Sequence, residues 1–256
     1  MHAICHLSMI PVRSEPSDKS EMVSQLLFGE SVEVIDKHDS WRKVRILLDD
    51  YIGWVDKKQL IPIDEDETKK ITSGPQTFSL DIVQIVIFHQ SNIIPIVLGS
   101  TLPSYDDKKF RMATTEYLYD GNVKTISSTE PEKVIEHAYM YLNAPYLWGG
   151  RSPFGIDCSG YTQMVYKLCG IFLKRDTQQQ SQQGKTINLL EESKAGDLAF
   201  FDNAEGKIVH TGIILSNNKI IHASGKVNVD KLDHHGIFNE ESNKYTHTLR
   251  VIKRYF

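Results

Sequence analysis

The chain has 256 residues and a formal net charge of −4 at pH 7, with 40% hydrophobic and 24% charged residues. These values are typical of a globular protein and exclude a wholly disordered or fibrous chain. The acidic balance argues against a nucleic-acid partner, and the longest apolar run, residues 93–98, is too short to span a membrane. The length favours one to three domains.

The cysteines indicate the redox environment. Cys5, Cys158 and Cys169 form an odd and sparse set, unlike the framework of a disulfide-rich secreted domain. The first residues also lack the basic segment and apolar core of a secretory signal. We therefore expect a cytoplasmic protein with reduced thiols.

Residues 1–62 have the pattern of a small all-β domain. Apolar and polar residues alternate over 31–35, 41–46 and 51–55, and turn-rich stretches separate these segments. Short strands at this spacing predict a small barrel. The motifs PVRSEP at 11–16, LFGE at 27–30, WRKV at 41–44 and GWV at 53–55 resemble a bacterial SH3-like domain.

Residues 63–127 begin with a charged stretch, 64–74, which we interpret as a linker or an exposed edge. Three later segments, 82–88, 93–98 and 110–113, favour strands. Residues 96–103 weakly resemble a second SH3-like domain. The region is therefore predicted to be either a second SH3-like domain or a β-rich spacer.

A helical period begins in the third region, residues 128–256. Thr129 and Glu132 fit a capping box, and a predicted helix follows. Its apolar face would comprise Ile135, Ala138, Tyr139 and Leu142.

A second helix is predicted from about residue 159 to residue 169, with an amphipathic pattern and Gly170 at its end. Strands are then predicted at 197–201, 211–215 and 219–223, with a tight turn at 216–218. Helices followed by an antiparallel sheet predict an α+β domain.

Cys158 is the first candidate for chemistry, because it stands where the second helix begins. The positive end of the helix dipole would stabilise its thiolate. The first free N–H groups of the same helix would be available to hold an oxyanion.

A nucleophilic cysteine needs a base and an orienting group. His210 and His222 fall in neighbouring predicted strands. They would approach each other diagonally across the hairpin only if both side chains share a face, and the sequence leaves that register open.

Two simpler interpretations compete with this one. Cys5 and Cys169 fit small buried core residues better than reactive thiols. The histidine-rich segment 210–247 also suggests a metal site, but it contains no paired metal-binding motif. We expect neither a metal nor a cofactor.

Five motifs now occur in one order: YLWGG at 146–150, DCSG at 157–160, GDL at 196–198, HTGI at 210–213 and IHAS at 221–224. Together they closely resemble the NlpC-type papain-like cell-wall peptidases over about residues 129–256. The resemblance implies that Cys158 is the nucleophile, His210 the base and His222 its orienter. It also implies that Tyr146 lies beside the oxyanion, and that Asp157 and Ser159 belong to the substrate site.

The pairing with an SH3-like domain resembles the γ-D-glutamyl-L-diamino-acid endopeptidases of murein peptide recycling. Asp176 and Thr177 match a segment that lines the substrate site in that group, whose members often carry Ser at the position of Thr177. Glu15 and Tyr51 match residues that reach into its cleft. Otherwise Glu15 would be an exposed turn carboxylate and Tyr51 an ordinary barrel residue.

The resemblance implies a multi-domain protein, with one or two small all-β SH3-like barrels before an α+β papain-like domain. Its substrates would be murein peptides with a free N-terminal L-Ala, whose charged amino group is a partner for Glu15. The enzyme would hydrolyse their γ-D-glutamyl–L-diamino-acid bond. Two alternatives stay open: an acyltransferase or amidase on the same scaffold, and a non-catalytic wall-binding module.

Overall fold

The structure is a computed structural model that describes all 256 residues. It divides into two compact units. The first comprises Met1–Ser127 with Trp148–Pro153, and the second comprises Ser128–Leu147 with Phe154–Phe256. No helix is both long enough and apolar enough to cross a membrane.

The first unit is mainly β-structure. Its strands are β1 (His2–Cys5), β2 (Met9–Arg13), β3 (Met22–Leu27), β4 (Ser31–His38), β5 (Trp41–Ile46), β6 (Ile52–Asp56), β7 (Leu60–Ile63), β8 (Gln76–Ser79), β9 (Val83–Phe88), β10 (Asn92–Val97), β11 (Lys109–Met112), β12 (Thr115–Leu118) and β13 (Val123–Ile126). A 3₁₀ turn, Lys57–Gln59, precedes β7, and helix α1 (Glu65–Ser73) follows it.

Strands β1 to β7 form one antiparallel sheet in the order β3-β2-β6-β5-β4-β1-β7. Every one of these strands contributes side chains to a single apolar core, which includes Ala3, Val12, Leu26, Val32 and Val44. A sheet whose strands all face one core must curl around it, as small barrels do. The predicted small barrel is confirmed.

The charged stretch at 64–74 is a helix, so its interpretation as a linker or edge was wrong. The Asp64 carboxylate accepts a hydrogen bond from the Glu67 N–H at 2.7 Å and caps α1. Acidic residues in the first turn suit the positive end of the helix dipole. Ile71 is buried on the opposite side, so the charges mark one face of a packed helix.

The rest of the first unit forms a four-stranded sheet, β10-β9-β12-β11, and a two-stranded sheet, β13-β8. Three of its strands lie within a residue of the predicted segments 82–88, 93–98 and 110–113. Its apolar core includes Phe110 and Tyr117 together with Ile4 and Phe28 of the preceding region. Residues 63–127 therefore share a core with residues 1–62.

The second unit contains three α-helices and a large sheet. The helices are α2 (Val134–Tyr139), α3 (Cys158–Leu168) and α4 (Thr177–Gln180), with 3₁₀ turns at Pro131–Lys133 and Leu190–Glu192. After β14 (Arg151–Ser152), the strands are β15 (Gly155–Ile156), β16 (Lys185–Ile187), β17 (Leu198–Asp202), β18 (Ile208–Leu215), β19 (Lys219–Ser224), β20 (Lys226–Leu232), β21 (Gly236–Asn239) and β22 (Lys244–Arg254).

Helix α2 differs from its prediction in length and in its buried face. It begins at Val134 after a 3₁₀ turn and has no side-chain cap, so the predicted capping box is wrong. Its buried residues are Val134, His137 and Ala138, and Tyr141 just beyond its end is also buried, whereas Tyr139 and Leu142 are exposed. The apolar stripe therefore lies mostly one residue earlier than predicted.

Helix α3 has the predicted end but not the predicted face. Gly170 adopts a φ of 76°, and the Gly170 and Ile171 N–H groups bond to the carbonyls of Lys167 and Tyr166 at 3.0 Å. This is a Schellman-type end, for which glycine is favoured. All eleven residues of α3 are buried, because the helix packs against α2, α4, β18 and β19.

The sheet of the second unit has the order β16-β22-β17-β18-β19-β20-β21. Strand β21 also pairs with β22, so six strands form a closed ring. Ile187, Phe201, Ile214 and Ile237 lie in the core of this sheet. Helices followed by an antiparallel sheet confirm the predicted α+β class.

Residues 148–153 group with the first unit, although the sequence assigned them to the region 128–256. The guanidinium of Arg151 bonds to both carboxylate oxygens of Glu30, at 2.6 and 2.9 Å, and both side chains are buried. The Arg151 N–H donates to Gln25 Oε1 at 2.8 Å. These buried polar contacts explain the assignment.

Candidate active site

Cys158 occupies the first position of α3, and only 6% of its surface is exposed. Asp157 caps the helix, since its Oδ1 accepts the Gly160 N–H at 2.7 Å. A short polar residue before the first helical position is a strong start signal. The sequence therefore placed the thiol correctly at a helix N-terminus.

Asp157 and Ser159, the neighbours of Cys158, are both bound to Arg175. Arg175 donates to Asp157 Oδ1 at 3.0 Å and to Asp157 Oδ2 at 2.6 Å. It also donates to Ser159 Oγ at 2.8 Å, and all three side chains are buried. Both predicted substrate residues are thus engaged in holding the start of α3.

Thr177 is the predicted residue that lies beside the thiol, with its Oγ1 3.9 Å from Cys158 Sγ. Helix α4, which carries it, is anchored by the fully buried Gln180. Gln180 accepts from Thr162 Oγ1 at 2.8 Å and donates to the Ser159 carbonyl at 3.0 Å. Asp176 is exposed at the start of α4, where its N–H bonds to Gln179 Oε1 at 3.4 Å.

The two histidines share a face of the sheet, which settles the open register. Gly212 lies opposite His222, and His210 lies two residues along the same strand. His210 Nε2 is 2.8 Å from His222 Nδ1, and both rings are almost fully buried. A Cβ on Gly212 would come within 2.7 Å of His222 Cβ, so glycine makes room for the ring.

Strand β18 also brings the histidine pair to the cysteine. The backbone N–H of Thr211, next to His210, lowers the pKa of the Cys158 thiol, and helix α3, which begins with Cys158, packs against β18. Because His210 Nε2 contacts His222, Nδ1 is the nitrogen that remains to take the thiol proton. The thiol, the base and its orienter therefore belong to one site.

Two further residues extend the site, and sequence reasoning missed both. His222 Nε2 is 3.0 Å from Asp230 Oδ2 on β20. His247 on β22 stacks on His210, with ring centroids 4.0 Å apart. His247 was noted only among potential metal ligands, and no local signal marked Asp230. No group of three or more His, Cys, Asp or Glu side chains is placed to hold a metal ion.

Burial dominates the electrostatics of the reacting pair. It raises the pKa of the Cys158 thiol to about 11, and Asp157 adds to this, although Thr177, Thr211 and Arg175 lower it. Burial, with the neighbouring His222 and His247, holds the pKa of His210 well below its ordinary value of 6.5. Both shifts favour the neutral thiol and the neutral imidazole, and so oppose the stabilisation of the thiolate expected from the helix dipole.

Tyr146 lies close to this site. Its N–H donates to the Gly225 carbonyl at 2.9 Å, and it bridges to Ile156, two residues before Cys158. Burial raises the pKa of its hydroxyl to about 12, and the charges of Cys158 and Asp157 contribute. The hydroxyl is thus a neutral hydrogen-bond donor at neutral pH.

Two of the predicted site residues, Glu15 and Tyr51, belong to the first unit. Glu15 is exposed in a bend after β2, where its carbonyl accepts from Ser20 Oγ at 3.0 Å. Tyr51 packs against the barrel core, and its N–H donates to Asp49 Oδ1 at 2.9 Å. The role of these two residues in the substrate cleft stays a prediction.

Comparison with known families matches both parts of the chain. Residues 143–246 match the NlpC/P60 family, and residues 12–60 match the bacterial dipeptidyl-peptidase Sh3 domain. The crystal structure of an NlpC/P60 family protein from Bacillus cereus ATCC 10987 superposes with a TM-score of 0.81. It is 24% identical and covers 100% of this chain and 99% of its own, so it supports the fold.

Three curated relatives match most of the chain. A gamma-D-glutamyl-L-lysine dipeptidyl-peptidase of Bacillus subtilis is 30% identical over 78% of this chain and 71% of its own length. A protein of the same name from Bacillus cereus is 27% identical over 81% and 68%. Dipeptidyl-peptidase 6 of Lysinibacillus sphaericus is 28% identical over 94% and 96%. With an SH3-like barrel ahead of this cysteine–histidine site, the chain belongs to the NlpC/P60 family of cysteine peptidases.

Proposed function

We propose that this protein hydrolyses the γ-D-glutamyl–L-diamino-acid bond of murein peptides. The observation that carries the proposal is that the helix beginning with Cys158 packs against β18, the strand that holds His210 beside His222. A nucleophile, a base and an orienter in one site are the requirements of acyl transfer through a covalent intermediate.

In the first half of the reaction, the Cys158 sulfur attacks the γ-carbonyl carbon of D-Glu while its proton passes to His210 Nδ1. The tetrahedral intermediate collapses, the C–N bond breaks, and His210 returns the proton to the departing amine. Because the thiol pKa is raised to about 11, proton transfer accompanies attack. Water then cleaves the acyl-enzyme with His210 as the base.

The oxyanion needs hydrogen-bond donors near the attacked carbon. The Gly160 N–H is occupied by the Asp157 cap, so it is not available for this role. We assign the role to the Cys158 N–H at the start of α3 and to the neutral Tyr146 hydroxyl. The position of Tyr146 near Cys158 supports this assignment.

The substrate class rests on the relatives and on the motifs. Two relatives are named gamma-D-glutamyl-L-lysine dipeptidyl-peptidases. The SH3-like motif that includes Glu15, together with Tyr51, supports a preference for a free N-terminal L-Ala. We further propose that the enzyme acts in the cytoplasm on peptide fragments, since its three cysteines are free.

The test is incubation with L-Ala-γ-D-Glu-L-Lys and with its meso-diaminopimelate counterpart, followed by product masses. We expect release of L-Ala-D-Glu and the free diamino acid, and no release by Cys158→Ala. Addition of a competing amine separates hydrolysis from transfer, because a transferase would yield the amide of L-Ala-D-Glu. An intact peptide, or an amide as the main product, would contradict the proposal.

The cellular part has its own test. Fractionation should place the protein with cytoplasmic markers, and soluble peptides should be cut far faster than intact murein. Recovery in the wall fraction, with comparable clearing of whole murein, would contradict the assignment to the cytoplasm.

A further inference from the structure

The histidine pair is continued by a carboxylate on the next strand. His222 lies opposite Asn228 in the β19–β20 ladder, and Asp230 lies two residues further along β20. Side chains two residues apart on a strand point to the same face. Asp230 therefore reaches His222, with Oδ2 at 3.0 Å from Nε2.

Asp230 is held from its other sides by two amides. Asn228 Nδ2 donates to Oδ2 at 2.7 Å, and Asn239 Nδ2 donates to Oδ1 at 3.1 Å. The amide of Asn239 has a defined orientation, since its own Oδ1 accepts from the N–H and the hydroxyl of Ser242. The carboxylate is thus surrounded by donors and has a fixed position.

An ionised carboxylate can only accept hydrogen bonds. A neutral His222 ring therefore carries its proton on Nε2, which leaves a lone pair on Nδ1. That lone pair accepts from His210 Nε2, 2.8 Å away, so His210 also carries its proton on Nε2. The lone pair of His210 then lies on Nδ1, the nitrogen that takes the proton of the thiol.

We propose that Asp230 is a positioning residue, which fixes the tautomers of both histidines and so presents the basic nitrogen of His210 to Cys158. The inference rests on the proposed role of His210 as the base. The residue acts through His222 and does not contact the substrate.

The surroundings of His222 agree with this assignment. His210 from β18 and His247 from β22 face it through their rings, with centroids 5.0 and 5.9 Å away. Asp230 from β20 supplies the negative charge. When His210 becomes an imidazolium during turnover, the negative charge of Asp230 stabilises that positive charge through His222.

The first measurement uses histidine ring ¹⁵N chemical shifts in the free protein near neutral pH. We expect the Nε2–H tautomer at both His210 and His222 in the wild type. Asp230→Ala should introduce the Nδ1–H tautomer, because His222 Nε2 then loses the carboxylate acceptor that it has in the wild type. Lys231→Ala is the matched control, since Lys231 lies on the same strand and is exposed.

The second measurement is peptide turnover. Asp230→Ala should lower kcat by about tenfold or more, within the about 10²–10⁴-fold that a general base supplies, and should change KM by less than about threefold. The double variant Asp230→Asn with Asn239→Asp should keep the wild-type tautomers and most of kcat. Its amide group donates to residue 239, so its oxygen still accepts from His222.

The outcomes separate the proposals. Unchanged tautomers in a folded Asp230→Ala protein, or changed tautomers with an unchanged kcat, would overturn the role of Asp230. A double variant that keeps the tautomers but is as slow as Asp230→Ala would also overturn it. A wild-type protein with the expected tautomers that cuts no murein peptide would support the tautomer assignment and overturn the proposed function.

Discussion

Arg175 donates hydrogen bonds to both carboxylate oxygens of Asp157, at 3.0 and 2.6 Å, and the two side chains are buried. Asp157 caps the helix that begins with Cys158, and Thr177 stands two residues after Arg175. One ion pair therefore sets both the start of α3 and the segment that lies beside the thiol. Such forked pairs give directional as well as electrostatic fixation.

Breaking this ion pair should damage both stability and activity. Arg175→Met leaves the Asp157 carboxylate buried without its partner, which we expect to cost about 3–5 kcal/mol. Urea unfolding measures the loss. Arg175→Lys should have a stability between those of the wild type and the Met variant, since lysine restores the charge but not the paired hydrogen bonds of the guanidinium. A Met variant as stable and as active as the wild type would contradict the role of the pair.

Alkylation of Cys158 should report its raised pKa. Only the thiolate reacts, so with a thiol pKa of about 11 the rate with iodoacetamide should rise with pH throughout the neutral and mildly alkaline range. Thr177→Val removes a hydroxyl that lowers this pKa and should slow the reaction, whereas Thr177→Ser should not. A rate plateau at or below neutral pH would instead indicate a preformed thiolate.

The site of alkylation provides the control for that measurement. Cys5 and Cys169 are completely buried, and burial raises the pKa of Cys5 to about 12. We therefore expect a single label, which mass spectrometry should place on Cys158. Cys158→Ala should remain unlabelled and should lose turnover.

The two histidines should differ in the size of their effects. His210→Ala removes the base and should lower kcat/KM by about 10²–10⁴-fold. His222→Ala should cost less, because His222 orients the base and does not itself accept the proton of the thiol. The double variant should be little worse than His210→Ala, since the residues act as a unit. Multiplicative losses in the kinetics would mean that the two rings do not share one function.

Removing only one partner of the buried Arg151–Glu30 pair should strongly destabilise the first unit. Arg151→Met leaves Glu30 buried without its partner, at a cost of about 3–5 kcal/mol. Adding Glu30→Gln should recover much of the loss, since the Gln oxygen still accepts the Leu27 N–H that Glu30 binds at 3.0 Å. The half-buried Arg45–Glu33 pair is the control, and Arg45→Met should cost under about 1 kcal/mol. Equal losses in denaturant titrations would refute the distinction.

Substrate charge tests the role predicted for Glu15. Glu15→Gln should raise KM at least about tenfold for peptides with a free N-terminal L-Ala, because a hydrogen bond to a charged group contributes about 1.5–3 kcal/mol. N-acetylation of the peptide should have the same effect on the wild-type enzyme. Equal cleavage of free and acetylated peptides would leave Glu15 as a solvated turn residue.

The sequence by itself determined the features that depend on local order. It predicted a barrel followed by an α+β unit, with Cys158 at the start of a helix that ends at Gly170. Strand alternation, the apolar period of a helix and a terminal glycine act within a few residues, so the sequence alone displays them. The charge pattern at 64–74 predicted a linker or an exposed edge, but these charges lie on one face of a packed helix.

Tertiary structure decided what depends on distant pairing. His210 and His222 meet because the hairpin register puts both rings on one face, and a shift by one residue would separate them. Asp230 and His247 join the site from β20 and β22. In the first unit, Arg151 pairs with Glu30, which lies 121 residues earlier. Burial of Cys158, which the sequence does not reveal, raises the pKa of its thiol and opposes the stabilisation of the thiolate expected from the helix start.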